Sequence, residues 1–421
     1  MVLDFKKHVK DYRDPLYGFI SVNEVEQKII DSKYFQRLRH INQLGTTFLV
    51  YPSAMHTRFE HSLGVLFIVE KMLNHLFSND YNIDALGWDK SDLGIAILSL
   101  RLAALLHDIG HPPFSHASEN LFPTDKFQNQ LDHEDYTYKL ITETEIADII
   151  NNNIGTQEAV NVAEIAVGRA KDRDAAFLSD LLTGDFGADR IDYLMRDSYH
   201  LGVEYGKFDI HRLLNTLFIR YNEEKSGPEL YIEDGGIHTI EAFILARYFM
   251  FTDVYFHKTR RILDNHLTEF ICSCLENGRY PLDIFKYIYW NDHQIFYELN
   301  NRKQEELAKR LLNRKHYRLC FETTDHPELH ELIKFNWMKY EVKNKFGEAV
   351  YLDEANKATY SFDQPEIFVL QNKHNEFRAL SESSTVVRNL RRIEKCRVYG
   401  APEICKDVMG FCNSFWKEKS C

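Results

Sequence analysis

The sequence has few features of a secreted, membrane-spanning or zinc-stabilised protein. Its seven cysteines are scattered among 421 residues, without the paired CxxC spacing of a structural zinc site. This usage favours reduced thiols, so we expect a cytoplasmic protein. The N-terminal stretch MVLDFKKHVKDYRD lacks the apolar core of a signal peptide. The longest apolar run, near residue 100, is interrupted by Arg101 and is too short to span a bilayer. We therefore expect no membrane partner.

Positive charge is also scarce in this chain. Lys and Arg number 51 against 63 Asp and Glu, which gives a formal net charge of −12. A broad electrostatic contact with nucleic acid is therefore not expected. An anionic small molecule would instead need a local group of Arg and Lys side chains. The apolar share of 44% is typical of a globular protein with a large core.

Hydrophobic periodicity predicts a mainly α protein. Apolar residues recur at helical spacing through most of residues 20–320. The first long helix is expected to run from SVNEVEQKII to Gly45, and Thr57 and Ser91 are expected to cap later helices. Gly110 and the two prolines after it should end the most apolar helix.

The rest of the pattern is mixed. Residues 217–234 alternate between apolar and polar side chains, which predicts a β-hairpin. After about residue 315 the runs EIFVLQ and FRAL are β-like, and an amphipathic helix is expected from Pro402. We therefore predict a helical core in residues 1–320 and a smaller α+β C-terminal region in residues 321–421.

Histidine and aspartate cluster after the most apolar helix, in LLHDIGHPPFSH. His107 and Asp108 would be costly to bury there without partners. Adjacent side chains diverge by about 100° on a helix, but these two can converge on one ion at the helix end. His61 and Asp189 could complete a set of two imidazoles and two carboxylates, which suits Mn, Fe, Zn, Ni or Mg without choosing among them. Taken singly, each could instead be a capping or hydrogen-bonded core residue.

Three segments resemble the signature blocks of the HD-domain metal-dependent phosphohydrolases, namely RFEHSLGV, LLHDIGHPPFSH and DRIDYLMRDSYHLG. Within that superfamily, YRDPLYGFI and FQRLRHINQLG are similar to segments of the deoxynucleoside triphosphate (dNTP) triphosphohydrolases. These include bacterial enzymes and a mammalian enzyme with an added SAM domain. The similarity is dense over residues 10–260, loose over 260–320 and not traceable beyond. It implies an HD-domain helical bundle that hydrolyses dNTPs to deoxynucleoside and triphosphate.

The resemblance implies roles residue by residue. The metal ligands would be His61, His107, Asp108 and Asp189. The second polar group would be His111, His116, Glu119 and His133. Of this group, His111, Glu119 and His133 are the expected acid–base residues and His116 is expected to contact phosphate. A histidine of near-neutral pKa can protonate a departing ribose oxygen, an effect of about 10²–10⁴-fold. The alternatives are a turn-closing role for His116 and an ordinary polar position for His133.

The resemblance also implies a substrate site. The triphosphate would be bound by Arg58, Arg190 and Arg247. The sugar and base would contact Gln43, Leu44, Tyr193, Asp197 and Tyr255. Asp197 would bind the 3′-hydroxyl, and the ring of Tyr193 would exclude a 2′-hydroxyl. Two positions depart from the family pattern. Many relatives have Lys in place of Arg190, a change that keeps the charge, and several have His in place of Phe251.

Regulation and other functions remain open at this level. In DSKYFQRLRHINQLG, the residues Asp31, Gln36 and Arg39 match a site that binds a regulatory nucleotide between subunits of the SAM-domain relative. This implies a homo-oligomer, a dimer or tetramer; the alternative is the exposed face of an amphipathic helix. The other candidate functions are hydrolysis of a different phosphoester, such as a monophosphate or alarmone, and a non-catalytic nucleotide sensor. A sensor would be expected to have lost a metal ligand, and all four are present.

Overall fold

The computed structural model describes residues 7–223, 227–358, 367–371 and 376–418. Within these residues the chain forms twenty α-helices and nine strands in three small sheets. The prediction of a mainly α protein with an α+β C-terminal part is therefore confirmed. Within the described residues, every helix is too short or too polar to cross a membrane.

The helices are best given in two groups. Those before residue 202 are α1 (Glu24–Ile30), α2 (Lys33–Gln36), α3 (Arg58–Leu76), α4 (Asp80–Leu86), α5 (Lys90–Leu106), α6 (His133–Thr142), α7 (Glu145–Asn153), α8 (Glu158–Ala166), α9 (Arg173–Thr183) and α10 (Ala188–Leu201). Those after it are α11 (Ile210–Asn215), α12 (Ile237–Phe249), α13 (Lys258–Cys274), α14 (Ile284–Tyr287), α15 (Asp292–Asn301), α16 (Glu306–Leu312), α17 (Leu329–Phe346), α18 (Leu380–Ser383), α19 (Thr385–Asn389) and α20 (Cys405–Glu418).

Helix α5 lies at the centre of the bundle because its second half is apolar on every side. All residues from Leu98 to Leu106 are buried, and the helix contacts α3, α8 and α9. A helix with no polar face is stable only when it is covered all round. The one charged residue in this stretch, Arg101, pairs with Glu26 at 2.6 Å and Glu70 at 2.9 Å. The C-terminal end of α5 therefore delivers His107 and Asp108 to the interior of the molecule.

The strands are β1 (Lys10–Asp14), β2 (Gly18–Val22), β3 (Leu217–Asn222), β4 (Gly227–Glu233), β5 (Arg318–Glu322), β6 (Val350–Lys357), β7 (Phe368–Gln371), β8 (Glu376–Ala379) and β9 (Ile393–Gly400). The predicted hairpin is β3–β4; β7 adds to it in parallel and β8 pairs with β7. Strand β9 is the middle of an antiparallel sheet between β5 and β6. The β1–β2 hairpin was not predicted.

The buried apolar side chains of the described residues form two larger hydrophobic cores and a third, small cluster of Ile262, Tyr317 and Tyr399. The main core extends along the chain from Ile20 to Ile393 and includes Val369 and Val387. The smaller core lies around Val342 and Val408 and their neighbours from α17, β9 and α20. Residues of the C-terminal region thus contribute to both cores. The division of the chain at residue 320 stays a prediction.

Several predicted helix ends differ from the observed ones. The first long helix is broken after α1, because Ser32 caps α2 by accepting from the Phe35 N–H. Helix α5 is capped by Asp89 and not by Ser91, since the Asp89 carboxylate accepts from two backbone N–H groups of the first turn. Thr57 precedes α3 as expected, but its side chain makes no capping hydrogen bond among the described residues. The last helix begins at Cys405 instead of Pro402.

Candidate active site

Three helix ends bring the four predicted metal ligands together. His61 lies in the first turn of α3, His107 and Asp108 follow α5, and Asp189 lies in the first turn of α10. The Nε2 atom of His61 is 3.0 Å from Asp189 Oδ1 and 3.3 Å from His107 Nε2. The two Asp108 oxygens are 3.4 Å from His107 Nε2 and 3.5 Å from His61 Nε2. Donor atoms of His61, His107 and Asp108 are close enough together to share one metal ion, and Asp189 lies beside both histidines.

The opposite nitrogen of each imidazole is fixed by a hydrogen bond. His61 Nδ1 is 2.8 Å from Asp192 Oδ2, and His107 Nδ1 is 2.9 Å from the Ala104 carbonyl oxygen. Because a carboxylate and a carbonyl can only accept, each Nδ1 carries a proton, and Nε2 is the atom that faces the cluster. Asp192 is held in turn by Arg196 Nε at 2.9 Å, and Arg196 Nη1 is 2.8 Å from Asp14 Oδ2.

Sequence reasoning missed Asp192, Arg196 and Asp14, which act on the site through other residues. The spacing of Asp189, Asp192 and Arg196, at positions i, i+3 and i+7 of one helix, was an available signal for a shared face. No local sequence pattern indicated that Asp14 contributes to the site. It lies 182 positions before its partner Arg196 and is brought there by the β1–β2 turn.

Gly64 allows α3 and α10 to approach closely at this point. A Cβ atom at position 64 would lie 2.0 Å from Asp192 Oδ1 and 2.3 Å from Arg196 Nη2. These distances are far below van der Waals contact, so a larger side chain would displace the carboxylate that orients His61. The geometry of the donor cluster therefore depends on a residue without a side chain.

The electrostatics of the cluster favour a bound cation. Burial alone would lower the pKa of His61, but the carboxylates of Asp189, Asp192 and Asp108 outweigh burial and raise the pKa to about 10. Burial of Asp108 is likewise outweighed, chiefly by Arg58 and His107, which hold the pKa of its carboxyl well below the usual range. A buried, mixed nitrogen and oxygen donor set of this kind suits a divalent metal ion with open positions.

A second histidine cluster adjoins the first. The rings of His111 and His133 stack with centroids 3.9 Å apart, and His116 lies edge-on to His111 at 4.8 Å. Glu119 joins them, because one carboxylate oxygen is 2.8 Å from His116 Nδ1 and the other contacts His133 Nδ1. His111 Nε2 is 3.3 Å from Asp108 Oδ1, which links the two clusters.

The histidines of this second cluster differ in their affinity for a proton. Burial would lower the pKa of His133, but Glu119 outweighs it and raises the pKa. Burial, Arg58 and His133 together hold the pKa of His111 well below its ordinary value. Burial of Glu119 is outweighed by His116 and His133, so the pKa of its carboxyl falls far below its usual range. His133 is therefore the preferred proton carrier, and His111 is neutral beside it.

Both clusters open into one cavity of about 510 Å³. Its wall includes fourteen of the residues singled out from the sequence: Gln43, Leu44, Arg58, His107, Asp108, His111, His116, His133, Asp189, Arg190, Tyr193, Asp197, Arg247 and Tyr255. His61 and Glu119 support this wall from behind through their contacts with His107 and His133. The structure thus brings the predicted metal, acid–base and substrate residues to one place.

The cationic part of the cavity is larger than the sequence indicated. Arg58 Nε donates to Ser115 Oγ at 2.7 Å, and its Nη1 contacts Asp108. Arg190 pairs with Asp185, and Arg247 Nη1 lies 3.7 Å from the same carboxylate. Three further cations, which were not predicted, also line the wall: Arg260, Arg261 and Lys357. Lys357 comes from β6, in the region where the sequence resemblance could not be traced.

Aromatic side chains line the same cavity beside the cations, and Arg247 and Lys357 lie 5.9 and 5.6 Å from the ring centroid of Phe251. A π-helical turn, Met250–Tyr255, carries Phe251 and Tyr255 into the cavity. Tyr255 donates to Asp197 Oδ2 at 2.6 Å, and its ring centroid is 6.3 Å from that of Tyr193. The other Asp197 oxygen is 2.8 Å from His56 Nε2. His56 was missed because a lone histidine between two helices carries no local signal.

The predicted regulatory residues lie away from this cavity. Gln36 donates to the Ile30 carbonyl oxygen at 2.7 Å and accepts from Arg39 Nε at 2.9 Å. The Arg39 guanidinium lies 3.5 Å from the ring centroid of Phe59. Asp31 is exposed at the C-terminal end of α1. Gln36 and Arg39 are therefore neighbours, and their regulatory role stays a prediction.

Comparison with known proteins identifies the family. Residues 58–181 match the model of the HD domain, and residues 208–410 match that of the HD associated region. A hypothetical protein from Aquifex aeolicus has a crystal structure that is similar to this chain, with a TM-score of 0.81 and 36% identity over 96% of this chain and 99% of that chain. The fold and the donor cluster are those of an HD-type phosphohydrolase. The chain belongs to the HD-domain family and combines an HD domain with an HD associated region.

Curated relatives match about three fifths of the chain. The uncharacterized protein YwfO of Bacillus subtilis is 36% identical over 62% of this chain and 55% of its own length. The deoxynucleoside triphosphate triphosphohydrolase SAMHD1 of Gallus gallus is 30% identical over 62% of this chain and 45% of its own length. The chain spans about half the length of these relatives. A phosphohydrolase from Bacteroides thetaiotaomicron, 24% identical with a TM-score of 0.71, shares the fold.

Proposed function

We propose that this protein hydrolyses dNTPs to deoxynucleoside and inorganic triphosphate in a metal-dependent reaction. The observation that carries the proposal is the single cavity, whose lining combines the donor cluster with cationic and aromatic side chains. A triphosphate requires the cationic side chains and a deoxynucleoside requires the aromatic ones. The similarity to the SAMHD1 triphosphohydrolases supports the same substrate class.

The metal ion would be held by His61, His107, Asp108 and Asp189. A divalent ion bound there would supply a coordinated water of lowered pKa and would neutralise charge on the phosphate. Asp192 and the Ala104 carbonyl keep the two imidazoles in the tautomer that can coordinate it. The donors fit Mn, Mg, Fe, Zn or Ni.

Proton transfer would fall to the second cluster. Glu119 accepts a hydrogen bond from the Nδ1–H of His133. The Nε2–H of the protonated ring would then be donated to the departing 5′ oxygen of the deoxyribose. Neutral His111, which lies between Asp108 and His133, would hold the second histidine cluster in place beside the metal ligands. His116 shares Glu119 and lines the cavity, where its ring can contact a phosphate oxygen.

Cationic side chains would orient the triphosphate of the substrate, and other side chains of the cavity would orient its sugar. Arg58, Arg190 and Arg247 would bind the triphosphate, with phosphate oxygens taking the place of Asp185 beside the last two. The ring of Tyr193 would lie against C2′ and exclude a hydroxyl group there. Gln43 Oε1 is buried without a hydrogen-bond partner among the described residues, so it can accept the 3′-hydroxyl.

Phosphorus NMR of the products tests the proposal. The protein would be incubated with a mixture of the four dNTPs and Mn²⁺, with His107→Ala as the inactive control. Intact triphosphate is the expected product. Orthophosphate or pyrophosphate would indicate a hydrolase of another phosphoester, and the absence of any product would indicate a nucleotide sensor.

We also propose that the protein is a homo-oligomer, a dimer or tetramer, that binds a regulatory nucleotide at Asp31, Gln36 and Arg39. Multi-angle light scattering should then give two or four times the chain mass of 49.7 kDa. The exposed position of Asp31 and Arg39 leaves their charged groups accessible to a ligand.

A further inference from the structure

The inference concerns the loop Asn42–Thr46, which supplies Gln43 and Leu44 to the cavity wall. This loop lies outside the α-helices of the chain, and Gly45 within it has a positive φ of 54°. Its buried backbone N–H groups must therefore find acceptors elsewhere, since a buried unpaired N–H is costly. Two of these acceptors are carboxylates from the HD associated region.

Asp292 holds the first residue of the loop. It is the first residue of α15, and only 2% of its surface is exposed. Its Oδ2 accepts from the Asn42 N–H at 2.9 Å, and its Oδ1 accepts from the Phe114 N–H at 2.7 Å. One buried carboxylate therefore joins the substrate loop to the segment that follows the metal-binding His107 and Asp108.

The Phe114 end of this connection is strained. Phe114 and Ser115 have φ values of 58° and 57°, so two successive non-glycine residues adopt the left-handed conformation. Such a backbone persists only when its surroundings determine it. Ser115 Oγ donates to the Asn42 carbonyl oxygen at 2.7 Å and accepts from Arg58 Nε at 2.7 Å. The Asp292 contact is thus part of the arrangement that positions Arg58.

Asp264 holds the other end of the loop. This residue of α13 is also buried, and its Oδ1 accepts from the Thr46 N–H at 3.1 Å and from Thr46 Oγ1 at 2.6 Å. A Cβ atom at Gly45 would lie 3.1 Å from the same oxygen, so the loop packs directly on the carboxylate. Gln43 and Leu44 lie between the two anchored ends.

A carboxylate is a poor choice at position 292 if its only role is to fill space. Burial raises the pKa of Asp292 to about 7, against the effect of its two N–H donors and Arg37. An apolar residue would be buried at lower cost. The ionised carboxylate has one property that an apolar residue lacks, which is that its two oxygens accept from two separate segments at once.

We propose that Asp264 and Asp292 are positioning residues through which the HD associated region places Gln43 at the sugar and Arg58 at the phosphate. Asp264 Oδ2 also lies 3.3 Å from Arg260 Nε. The remaining contacts of the two carboxylates are with backbone and Thr46, through which they act on the loop. The consequence for the reaction is a specific one: recognition of the 3′-hydroxyl by Gln43 requires both anchors. This consequence rests on the proposed function, whereas the anchoring itself does not.

The test uses Asp292→Asn and Asp264→Ala in the full chain, because both Thr46 contacts share one oxygen of Asp264, which an asparagine would keep. An amide can accept with its oxygen only, so Asp292→Asn loses one of its two N–H contacts with almost no change of shape. Glu26→Gln is the matched control. Glu26 is another fully buried carboxylate, on α1, that accepts from the Asn23 N–H and pairs with Arg101, and neither of these partners belongs to the loop.

Hydrogen exchange monitored by mass spectrometry reports the anchoring without any need for turnover. Peptides that cover residues 40–48 and 110–118 should exchange faster in Asp292→Asn. In Asp264→Ala the effect should be confined to residues 40–48. Both peptides should be unchanged in Glu26→Gln. Unchanged exchange of residues 40–48 in both aspartate variants would overturn the proposal. If the wild-type protein hydrolyses no dNTP, the proposed function fails. The exchange measurement still shows whether the two carboxylates hold the loop in place.

Kinetics report the consequence for the sugar. The ratio of kcat/KM for a dNTP to that for its 2′,3′-dideoxy analogue measures the contribution of the 3′-hydroxyl. One hydrogen bond accounts for about 2–10-fold, and this factor should be lost in Asp292→Asn, Asp264→Ala and Gln43→Ala. Combining Asp292→Asn with Gln43→Ala should cause no further loss in the ratio. A wild-type ratio in both aspartate variants, with only a lower melting temperature, would reduce the two residues to a structural role.

Discussion

His61 and Asp192 form a pair in which the carboxylate fixes the imidazole for coordination. The Nδ1 to Oδ2 distance is 2.8 Å, both side chains are buried, and Asp192 receives two further contacts from Arg196 at 2.9 and 3.0 Å. This carboxylate is therefore rigid before any ion arrives. Such partners of metal ligands typically change metal affinity by about 10–100-fold when they are mutated.

Metal content should follow this arrangement. Replacing His61, His107, Asp108 or Asp189 by Ala should abolish both the bound metal and the turnover, because each removes a donor from a chelating set. Asp192→Asn should weaken metal binding by about 10–100-fold and leave the four donors in place. Elemental analysis of the purified variants measures both effects. Full metal occupancy in His107→Ala would disprove the ligand assignment.

The second cluster should affect turnover without affecting metal. His133→Ala and His111→Ala should each lower kcat by about 10²–10⁴-fold, because the first removes the proton donor and the second its stacked, neutral neighbour. Metal content should stay near that of the wild-type protein. Loss of metal in His111→Ala would mark that residue as a ligand or as a support of the metal site.

The pH dependence of kcat should respond to Glu119. Glu119 raises the pKa of His133, so the protonated acid persists to higher pH in the wild-type protein. Removing the carboxylate charge in Glu119→Gln should lower that pKa, and the alkaline limb of the kcat profile should therefore move to lower pH. A limb that stays in place would show that the titrating acid is a different group. The acid limb serves as the internal control.

Sugar selectivity should depend on Tyr193. With its ring against C2′, dGTP should be cleaved far better than GTP, because an added hydroxyl would clash with the ring. Tyr193→Ala should reduce this preference and leave the bound metal unchanged. The ratio of kcat/KM for dGTP to that for GTP is the measurement. Comparable values for the two nucleotides in the wild-type protein would contradict the assignment.

Regulation should depend on Arg39. If a nucleotide binds at Asp31, Gln36 and Arg39, one dNTP should accelerate hydrolysis of another, with a coupling of about 1–3 kcal/mol. Arg39→Ala should remove this acceleration and spare the basal rate, whereas Lys33→Ala, a nearby exposed cation of α2, should keep it. Hyperbolic kinetics on every dNTP, unchanged in mixtures and in Arg39→Ala, would contradict the regulatory role. Arg39 would then serve only in its contacts with Gln36 and Phe59.

The sequence was most informative where the chemistry is local. The contexts of His61, His107, Asp108 and Asp189 indicated a shared ion, and the structure brings the four together. The β3–β4 hairpin was predicted because alternation is a local pattern. The break between α1 and α2 was missed, because the apolar period continues through it and only the Ser32 cap marks it.

Residues that reach the site from far along the chain were not predictable. Asp292 and Asp264 meet the substrate loop across 250 and 218 positions, and neither lies in a recognisable motif. Lys357 comes from a strand whose register against β9 decides which residues face the cavity. These contacts are products of tertiary packing, and no local pattern in the sequence encodes them.

The position of Asp189 limits how this protein can be recombined with others. The matched HD domain ends at residue 181, and the HD associated region begins at residue 208. The fourth donor lies in the 26 residues between these two limits, together with Arg190 and Tyr193. A chimaera that exchanged only residues 58–181 would carry three donors into a host and leave the fourth behind. The segment that carries all four donor residues therefore includes the connecting helix α10. An exchange of HD domains between homologues must keep that helix together with its own HD domain.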